Sequence, residues 1–209
     1  MKPISSFSIR KHSFSTYSER PELEGEFLNV KQIHSAHITD GFSAKLGSIE
    51  SDGIYIRFDQ LKLKTSHKIH LAIKTADCLS VAVIGKKGAI NLHAGWRGLA
   101  AEILFHPHVK ECEPHTFVLS AAIAQENYEV GFEFNEIFKK FPQGLSLSDK
   151  KLTFSLHTTA IEMIKSKYPL SEIIVDKLDT FSNSQLNSFR RDQTKARNWN
   201  VLSLDLRSL

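Results

Sequence analysis

The sequence predicts one domain of the mixed α/β (α+β) class over residues 1–209. Three observations predict it. Short stretches of alternating apolar residues, typical of strands, recur along the chain. The largely apolar run His70–Ile84 has the pattern of a strand buried on both faces, and Leu152–Tyr168 has apolar residues at helical spacing before Pro169. No internal repeat or linker divides the chain, which is long enough to bury a sizeable core.

The strands are predicted from alternation, β-branched composition and flanking turn signals. Asp52-Gly53 signals a turn into a strand, and Gly85-Lys-Lys-Gly88 signals a hairpin turn between two apolar runs. The second strand is expected to deliver His34 near its end. In chain order the predicted strands are residues 4–17 (an edge strand), 27–34, 51–56, 70–84, 89–93, 116–124, 173–176 and 200–206, the last closing a sheet.

Helices are predicted in three places. Leu99–Leu104 favours a helix that Pro107 is expected to stop. Leu152–Tyr168 is the clearest amphipathic helix. Residues 126–141 are expected to be helical towards their end, because apolar side chains recur there at helical spacing, at Phe134, Ile137, Phe138 and Phe141.

Charge and composition exclude several classes of function. The net charge of +4 is a mild excess, with one basic cluster at Lys62–Lys68 and no nucleic-acid motif, so we expect no nucleic-acid partner. No apolar run approaches the ~20 residues of a membrane span, and we expect no membrane association and no signal peptide. Two cysteines, Cys78 and Cys112, make a poor disulfide framework, which favours a reduced, cytoplasmic protein.

Cys78, His93 and His34 form a candidate metal site. A catalytic zinc typically has three protein ligands and one open position. Cys78 and His93 lie at corresponding points of two predicted strands joined by a short turn, so their side chains meet if these strands pair or lie one apart. His34 ends another predicted strand. The alternatives are a small core cysteine and structural histidines, or a thiol hydrolase that pairs Cys78 with His93.

Arg97 and the pair Arg190-Arg191 are candidate anion-binding residues. Guanidinium groups suit phosphate and carboxylate oxygens, and Arg97 stands at a predicted helix start, where free N–H groups add to anion affinity. Surface or salt-bridged arginines are the alternative. Asp77, beside Cys78, is expected to point to the opposite face of its strand and to hold a loop amide or an arginine.

Three motifs occur in order: KQIH at 31–34, TADCLSV at 75–81 and HAGWRG at 93–98. Together they resemble the laccase-domain family, also called the multicopper polyphenol oxidoreductase family. Segment 127–131 is similar to a later Y-E-V-G block of that family, and segment 188–197 to its C-terminal arginine block. Several members are described as purine nucleoside phosphorylases with adenosine deaminase activity, and the peptidoglycan editing factor also belongs to the family.

The resemblance implies an α/β/β/α-like sandwich of mixed sheets with flanking helices. It implies a metal site of His34, Cys78 and His93 that holds zinc, with copper as the alternative. The implied function is that of a zinc-dependent purine nucleoside phosphorylase and adenosine deaminase, in which metal-activated phosphate or water attacks the nucleoside. The implied partners are small molecules, purine nucleoside and phosphate, and the chain is expected to be a monomer or homodimer.

The resemblance also implies roles for other residues. Arg97 and Arg190 or Arg191 would hold phosphate or developing negative charge, and Asp77 would orient a group or handle a proton. It leaves three other functions open: an editing amidohydrolase of peptidoglycan precursors, a copper-dependent polyphenol oxidase, and a divergent binding domain without activity. Ser120–Gln125 and Lys195-Ala196 depart from the family pattern, and we expect these departures to affect substrate contacts more than the metal ligands.

Overall fold

The computed structural model describes residues 1–43, 47–63 and 67–207, so part of the basic cluster at Lys62–Lys68 lies outside the described residues. The strands are β1 Ser5–Ile9, β2 His12–Tyr17, β3 Glu26–Asn29, β4 Thr39–Asp40, β5 Gly53–Arg57, β6 Lys68–Thr75, β7 Leu79–Gly85, β8 Gly88–Ala94, β9 Pro114–Leu119, β10 Glu129–Val130, β11 Leu145–Ser148, β12 Lys151–Phe154, β13 Glu172–Val175 and β14 Asn198–Asp205. The α-helices are α1 Trp96–Ala100, α2 Pro107–Glu111, α3 Phe134–Ile137, α4 Leu156–Lys167 and α5 Phe189–Asp192.

Two large sheets pack face to face, and this confirms the predicted mixed α+β class. One has the strand order β1-β2-β14-β6-β3 and the other β13-β9-β7-β8-β5-β4, while β10, β12 and β11 form a small third sheet. Leu71 and Leu202 of the five-stranded sheet belong to one buried cluster with Ile56 and Ile84 of the six-stranded sheet. This cluster is the interior of the sandwich.

The helices and the small sheet cover the outer face of the six-stranded sheet. Val81 and Leu92 share a buried cluster with Leu99 of α1, Met163 of α4 and Phe154 of β12. None of the helices among the described residues is long and apolar enough to cross a bilayer.

The predicted strand His70–Ile84 is wrong as a single element. β6 ends at Thr75 in the five-stranded sheet, and β7 begins at Leu79 in the six-stranded sheet. Asp77 has a φ of 85°, a left-handed conformation that turns the chain from one sheet to the other. Both strands are apolar because both are buried, so the pattern of hydrophobicity carries no mark of the break.

The predicted strand 27–34 is also too long, since β3 ends at Asn29. His34 lies in a loop with a φ of 60°. The Gln32 side chain fixes this loop to the end of β6, because its amide donates to the Lys74 carbonyl at 2.7 Å and accepts from the Lys74 N–H at 2.8 Å. A side chain, rather than a strand, therefore places His34.

Residues 4–17 form a hairpin of two strands instead of one edge strand. β1 is the edge, whereas β2 pairs with β14 inside the sheet. Arg10, with a φ of 54°, makes the turn. The predicted C-terminal strand is confirmed as β14, but it lies between β2 and β6 rather than at a border. The predicted hairpin turn at 85–88 and the strand near 173–176 are confirmed.

The helix boundaries differ from the prediction in three places. Glu102, with a φ of 56°, interrupts the helix expected at 99–104, and Pro107 begins α2 instead of ending a helix. Proline suits the first helical position because the N–H it lacks would be unpaired there. The helix expected from Leu152 begins at Leu156, after Ser155 accepts the Thr158 N–H as its N-cap. The predicted helical end of 126–141 is confirmed only as the short α3, and the strand predicted at 116–124 ends at Leu119.

Candidate metal centre

His34, Cys78 and His93 converge at one end of the sandwich. Each offers one ligand atom, and these atoms all lie within 4.8 Å of one another. β7 and β8 are antiparallel with Ser80 opposite His93, so Cys78, in the turn before β7, lies near the end of β8. The sequence-predicted ligand set is therefore brought together from two loops and one strand.

Asp52 is the residue on which this arrangement depends, and it is fully buried. Its carboxylate accepts the Nδ1–H of His93 at 2.8 Å. The same carboxylate accepts the backbone N–H groups of His34 at 3.0 Å and Ser35 at 2.6 Å, and the Ser35 hydroxyl at 2.8 Å. One side chain thus orients the His93 ring and holds the loop that carries His34. A carboxylate behind a histidine ligand is a frequent feature of protein metal sites.

The ionisation of these groups is coupled. Although burial alone would raise the pKa of Cys78, its hydrogen bonds with His34 and His93 lower that pKa to about 6. Burial would likewise lower the pKa of His93, but Asp52 and Cys78 raise it to about 9. Burial also opposes ionisation of Asp52, whose pKa the His93 ring and Ser35 bring down to about 2. The thiol is thus set to be a thiolate, the form in which cysteine binds a metal.

Gly95 leaves the space in which the ligand atoms meet. A Cβ at this position would stand 3.1 Å from the Cys78 sulfur and 3.4 Å from His93 Nε2. The residue follows β8 directly, with a φ of −63° that any residue adopts, so the requirement for glycine is steric. Gly95 in the HAGWRG motif therefore keeps the face of Cys78 and His93 open.

Asp77 lies in the turn between β6 and β7 rather than in a strand, and it holds a backbone amide, as expected, and also a hydroxyl group. Its carboxylate accepts the N–H of Arg190 at 2.6 Å and the hydroxyl of Thr180 at 2.7 Å. It is 9% exposed and immediately precedes Cys78. The contact ties α5, with its two arginines, to the turn that carries the candidate thiolate. A direct chemical role for Asp77 stays a prediction.

Arg97 and Arg190 are exposed and lie near Tyr128. The Arg190 guanidinium stacks on the Tyr128 ring at 5.2 Å, while that of Arg97 lies 4.2 Å from the centre of the Trp96 ring. Burial raises the pKa of Tyr128, and so does the charge of Cys78, while Arg190 and Arg97 lower it. Tyr128 is therefore close to the candidate centre and to the charges of Arg97 and Arg190.

Arg191 differs from Arg190 because its donors are used within the protein. Its guanidinium donates to carbonyl oxygens of the loop before α5, those of Thr180, Phe181, Asn183 and Leu186, at 2.8 to 3.2 Å. Its Nε bonds with Asp192 at 2.9 Å. Of the two adjacent arginines, Arg190 has the guanidinium with fewer polar contacts.

A cavity of about 460 Å³ opens beside the three candidate ligands. Lys74, Arg197 and Lys31 bring positive charge to its lining, and Phe189 brings an aromatic ring that is 55% exposed. Lys31 is paired with Glu50 at 2.7 Å. Partial burial lowers the pKa of Lys74, and Arg197 and Arg20 lower it further. The described lining contains no acidic residue, so the cavity suits an anionic ligand with a flat apolar part.

Sequence reasoning missed Asp52, Tyr128, Lys74 and Phe189. Asp52 was assigned to a turn because a glycine follows it, and no local signal marks a carboxylate that acts on two histidines distant in the chain. The structure shows how the segment Ser120–Gln125, which departs from the family pattern, is held. Asp179 accepts the Ala124 N–H at 2.9 Å and the amide of the nearby Asn127 at 2.8 Å.

The chain matches a family model described as "Multi-copper polyphenol oxidoreductase laccase" over residues 11–205. A purine nucleoside phosphorylase of Aquifex aeolicus (strain VF5) is 31% identical over 133 residues, which are 62% of this chain and 63% of that protein. The purine nucleoside phosphorylase RC0672 of Rickettsia conorii (strain ATCC VR-613 / Malish 7) is 28% identical over 134 residues, which are 61% of this chain and 51% of that protein. The chain thus matches less than two thirds of the length of either relative.

Solved structures share the fold. The crystal structure of Neisseria meningitidis protein NMB0706 aligns with a TM-score of 0.72 at 23% identity. The alignment covers 86% of this chain and 75% of the Neisseria chain. The crystal structure of YlmD from Geobacillus stearothermophilus aligns with a TM-score of 0.69 at 18% identity. The alignment covers 85% of this chain and 73% of the YlmD chain.

Proposed function

Because the chain belongs to the multi-copper polyphenol oxidoreductase laccase family, we propose that it is a zinc-dependent enzyme of the purine nucleoside phosphorylase type. The observation that carries this proposal is the convergence of His34, Cys78 and His93 within 4.8 Å beside a cavity with a cationic lining. Two relatives named purine nucleoside phosphorylase support the substrate class.

The residues present fit zinc. Two imidazoles and one thiolate are a ligand set that zinc takes in catalytic sites, where a fourth position stays open. His93 Nδ1 is engaged by Asp52, so Nε2 is the atom left for a metal. When bound at these residues, zinc would supply a Lewis acid that activates phosphate or water.

The cavity residues account for substrate binding. Lys74 and Arg197 are placed to attract a phosphate group, and burial of Lys74 strengthens such an interaction by excluding water. Phe189 offers an exposed ring on which a purine base can stack. Phosphate beside a nucleoside is the arrangement that phosphorolysis of a glycosidic bond requires.

Arg97, Arg190 and Asp77 take supporting roles in this proposal. Arg97 and Arg190, on the Tyr128 side of Cys78, stabilise negative charge that develops in the reaction. Asp77 is a positioning residue, since its carboxylate holds the backbone of Arg190. We assign Arg191 to the same structural support, because its donors bind loop carbonyls.

The test is a reaction assay with purified, zinc-loaded protein. Incubation with inosine or adenosine should yield free base and ribose phosphate only when phosphate is present, and adenosine should also yield inosine if water is activated for deamination. Lys74→Gln should raise the KM for phosphate about tenfold with a smaller change in kcat. No base, ribose phosphate or inosine at high enzyme concentration would contradict the proposal.

A copper-dependent phenol oxidase is the second candidate, because two histidines and one cysteine also form the ligand set of blue-copper sites. The two candidates differ in the metal that the protein retains and in the substrate consumed. Protein loaded with copper should then consume oxygen with a phenol, whereas the zinc form should not.

A further inference from the structure

A second cavity lies at the opposite end of the sandwich from the candidate metal centre. β7 begins next to Cys78 and is seven residues long, so its ends lie roughly 20 Å apart at ~3.3 Å per residue. At the Gly85 end, a cavity of about 460 Å³ opens between the edges of the two large sheets. It is separate from the cavity that contains the candidate ligands.

Basic side chains from three separate segments line this second cavity. Arg10, Lys11 and His12 come from the turn of the β1–β2 hairpin, Lys86 comes from the β7–β8 turn, and His115 comes from the start of β9. None of the described residues that line the cavity is acidic. The topology of both sheets thus concentrates positive charge at one end.

Three of the nearby acidic residues are engaged with other cations. Asp205 pairs with Arg207, Glu113 with Lys87 at 2.5 Å and Asp59 with Arg57 at 2.5 Å. Glu172, which faces His115, accepts the Thr116 hydroxyl at 3.4 Å.

Arg10 and Lys86 take part in none of the ion pairs among the described residues, although Glu172 lines an adjacent cavity with Arg10 and the charge of Lys86 lowers the pKa of Glu113. An anion in the cavity would meet the field of both cations directly.

His12 adds a neutral hydrogen-bond donor. It is 6% exposed, and its Nδ1 accepts the Asp205 N–H at 3.3 Å, which leaves the ring proton on Nε2. Burial and the neighbouring Lys11 lower the pKa of His12 to about 4. At neutral pH the ring is therefore uncharged and can donate without adding to the repulsion among the cations.

The rest of the lining is apolar. Ile9 and Ile84 form part of it, and the partly exposed Phe58 ring lies 6.3 Å from the His12 ring. Phe58 also borders a neighbouring cavity, but that one contains the acidic Asp59 and Glu111 beside its cations. A volume of this size is within the range of small-molecule sites.

We propose that the cavity between Arg10, Lys86, His12 and Phe58 binds a small molecule that joins a phosphate group to a flat aromatic body, which is the chemistry of a mononucleotide. Arg10 and Lys86 bind the phosphate, His12 donates to it, and the ring stacks on Phe58. The site is distinct from the metal centre and does not rest on the function proposed for it.

The test is a calorimetric titration of the metal-loaded protein with adenosine monophosphate, adenosine and inorganic phosphate. We expect the monophosphate to bind more tightly than either fragment. Arg10→Asn and Lys86→Gln should each weaken it roughly tenfold, as expected for loss of a hydrogen bond to a charged group. Asparagine tolerates the left-handed backbone of residue 10.

Matched controls are available in the chain. Lys150→Asn changes another basic residue with a positive φ in a hairpin turn, and Lys139→Gln changes a lysine that pairs with Glu136 outside the cavity lining. Both should leave the affinity unchanged. The imidazole NMR signals of His12 and His115 should shift on binding, and kcat with inosine and phosphate should stay at the wild-type value in Arg10→Asn and Lys86→Gln.

Absence of binding would overturn the proposal. So would an affinity that falls in Lys74→Gln, at the metal-centre cavity, but not in Arg10→Asn or Lys86→Gln. Equal weakening by the control variants would show a non-specific attraction and would overturn it as well. A protein without phosphorylase activity that still binds the monophosphate through Arg10 would separate this inference from the proposed function.

Discussion

The two ends of the sheet sandwich are built on the same strands but differ in how their charged groups are paired. At the Cys78 end, the ionisable groups are paired inside the protein, with Asp52 against His93 and Cys78 against both histidines. At the Gly85 end, Arg10 and Lys86 have no ion-pair partner among the described residues. The buried side chains of β7 and β8 are apolar apart from Ser80 and Asn91, where the Ser80 hydroxyl donates to Asn91, and His93 at the Cys78 end.

The difference shows that the strands provide a frame and that the turns decide what each end can bind. At the Cys78 end, a buried thiol between two imidazoles suits a metal cation, beside a cavity whose cationic lining suits an anion. At the other end, a cationic lining without an acidic residue among those described suits an anion alone. The predictions below test this contrast, beginning with the change that should have the largest effect.

Removal of a ligand should abolish activity at the Cys78 end. His93→Ala removes a candidate metal ligand and leaves Asp52 buried without its main partner. We expect kcat/KM to fall by more than ~100-fold. This exceeds the ~10- to 100-fold loss that is typical when a residue hydrogen-bonded to a metal ligand is replaced. The measurement is phosphorolysis of inosine, with folding checked by circular dichroism. Activity that persists in folded His93→Ala would contradict the role given to His93 in catalysis.

Neutralisation of Asp52 should weaken metal binding at the Cys78 end without removing a candidate ligand. Asp52→Asn keeps the shape of the side chain but loses the charge that orients His93, so we expect metal affinity to fall ~10- to 100-fold. Competition with a chromophoric zinc chelator measures it. Asp40→Asn is the control. Asp40 accepts the Phe42 N–H at 2.7 Å and makes no hydrogen bond with the candidate ligands among the contacts described. Equal affinity in both variants would contradict the role given to Asp52.

Acid should lower the folding stability of the protein through protonation of His12 at the Gly85 end. Its folded pKa of about 4 lies below the ordinary histidine value of 6.5, so the unfolded chain binds the proton more readily. The stability due to this group is therefore complete above pH 6.5 and is lost as the pH falls towards 4. The loss should reach up to about 3 kcal/mol.

Urea unfolding across this pH range in the Cys78→Ser background, which removes any effect of metal release, measures the loss. His12→Gln should reduce the slope of the curve, while His70 and His157, whose pKa values burial also lowers, keep part of it; exposed His67→Gln should leave the slope unchanged. A pH dependence that is unchanged in His12→Gln would contradict the assignment.

The sequence predicted which candidate ligands come together better than it predicted the elements that carry them. His34, Cys78 and His93 were identified from three motifs, and the structure brings them within 4.8 Å. The break between β6 and β7 was not predictable, because strands buried in different sheets have the same apolar pattern when joined by a short turn. The loop position of His34 depends on Gln32 and Asp52, which act across long sequence distances.

The anion-binding residues show a similar limit. Arg190 and Arg191 are adjacent and equivalent in sequence, but only the fold shows that Arg191 donates to four loop carbonyls while Arg190 stacks on Tyr128. The cluster at the Gly85 end joins three turns that are far apart in the chain, so no sequence window contains it. Local patterns indicate candidate chemistry, and packing selects which residues can perform it.

The central claim, that His34, Cys78 and His93 hold a metal ion, is tested most directly by the metal content of the untagged protein. Elemental analysis of the wild type should be compared with Cys78→Ser and with the control Cys112→Ser, whose buried sulfur donates to the Gly88 carbonyl in the core. We predict about one equivalent of zinc per chain in the wild type and in Cys112→Ser, and loss of that zinc in Cys78→Ser. Metal that is absent from the wild type, or that is retained fully by Cys78→Ser, would contradict the account.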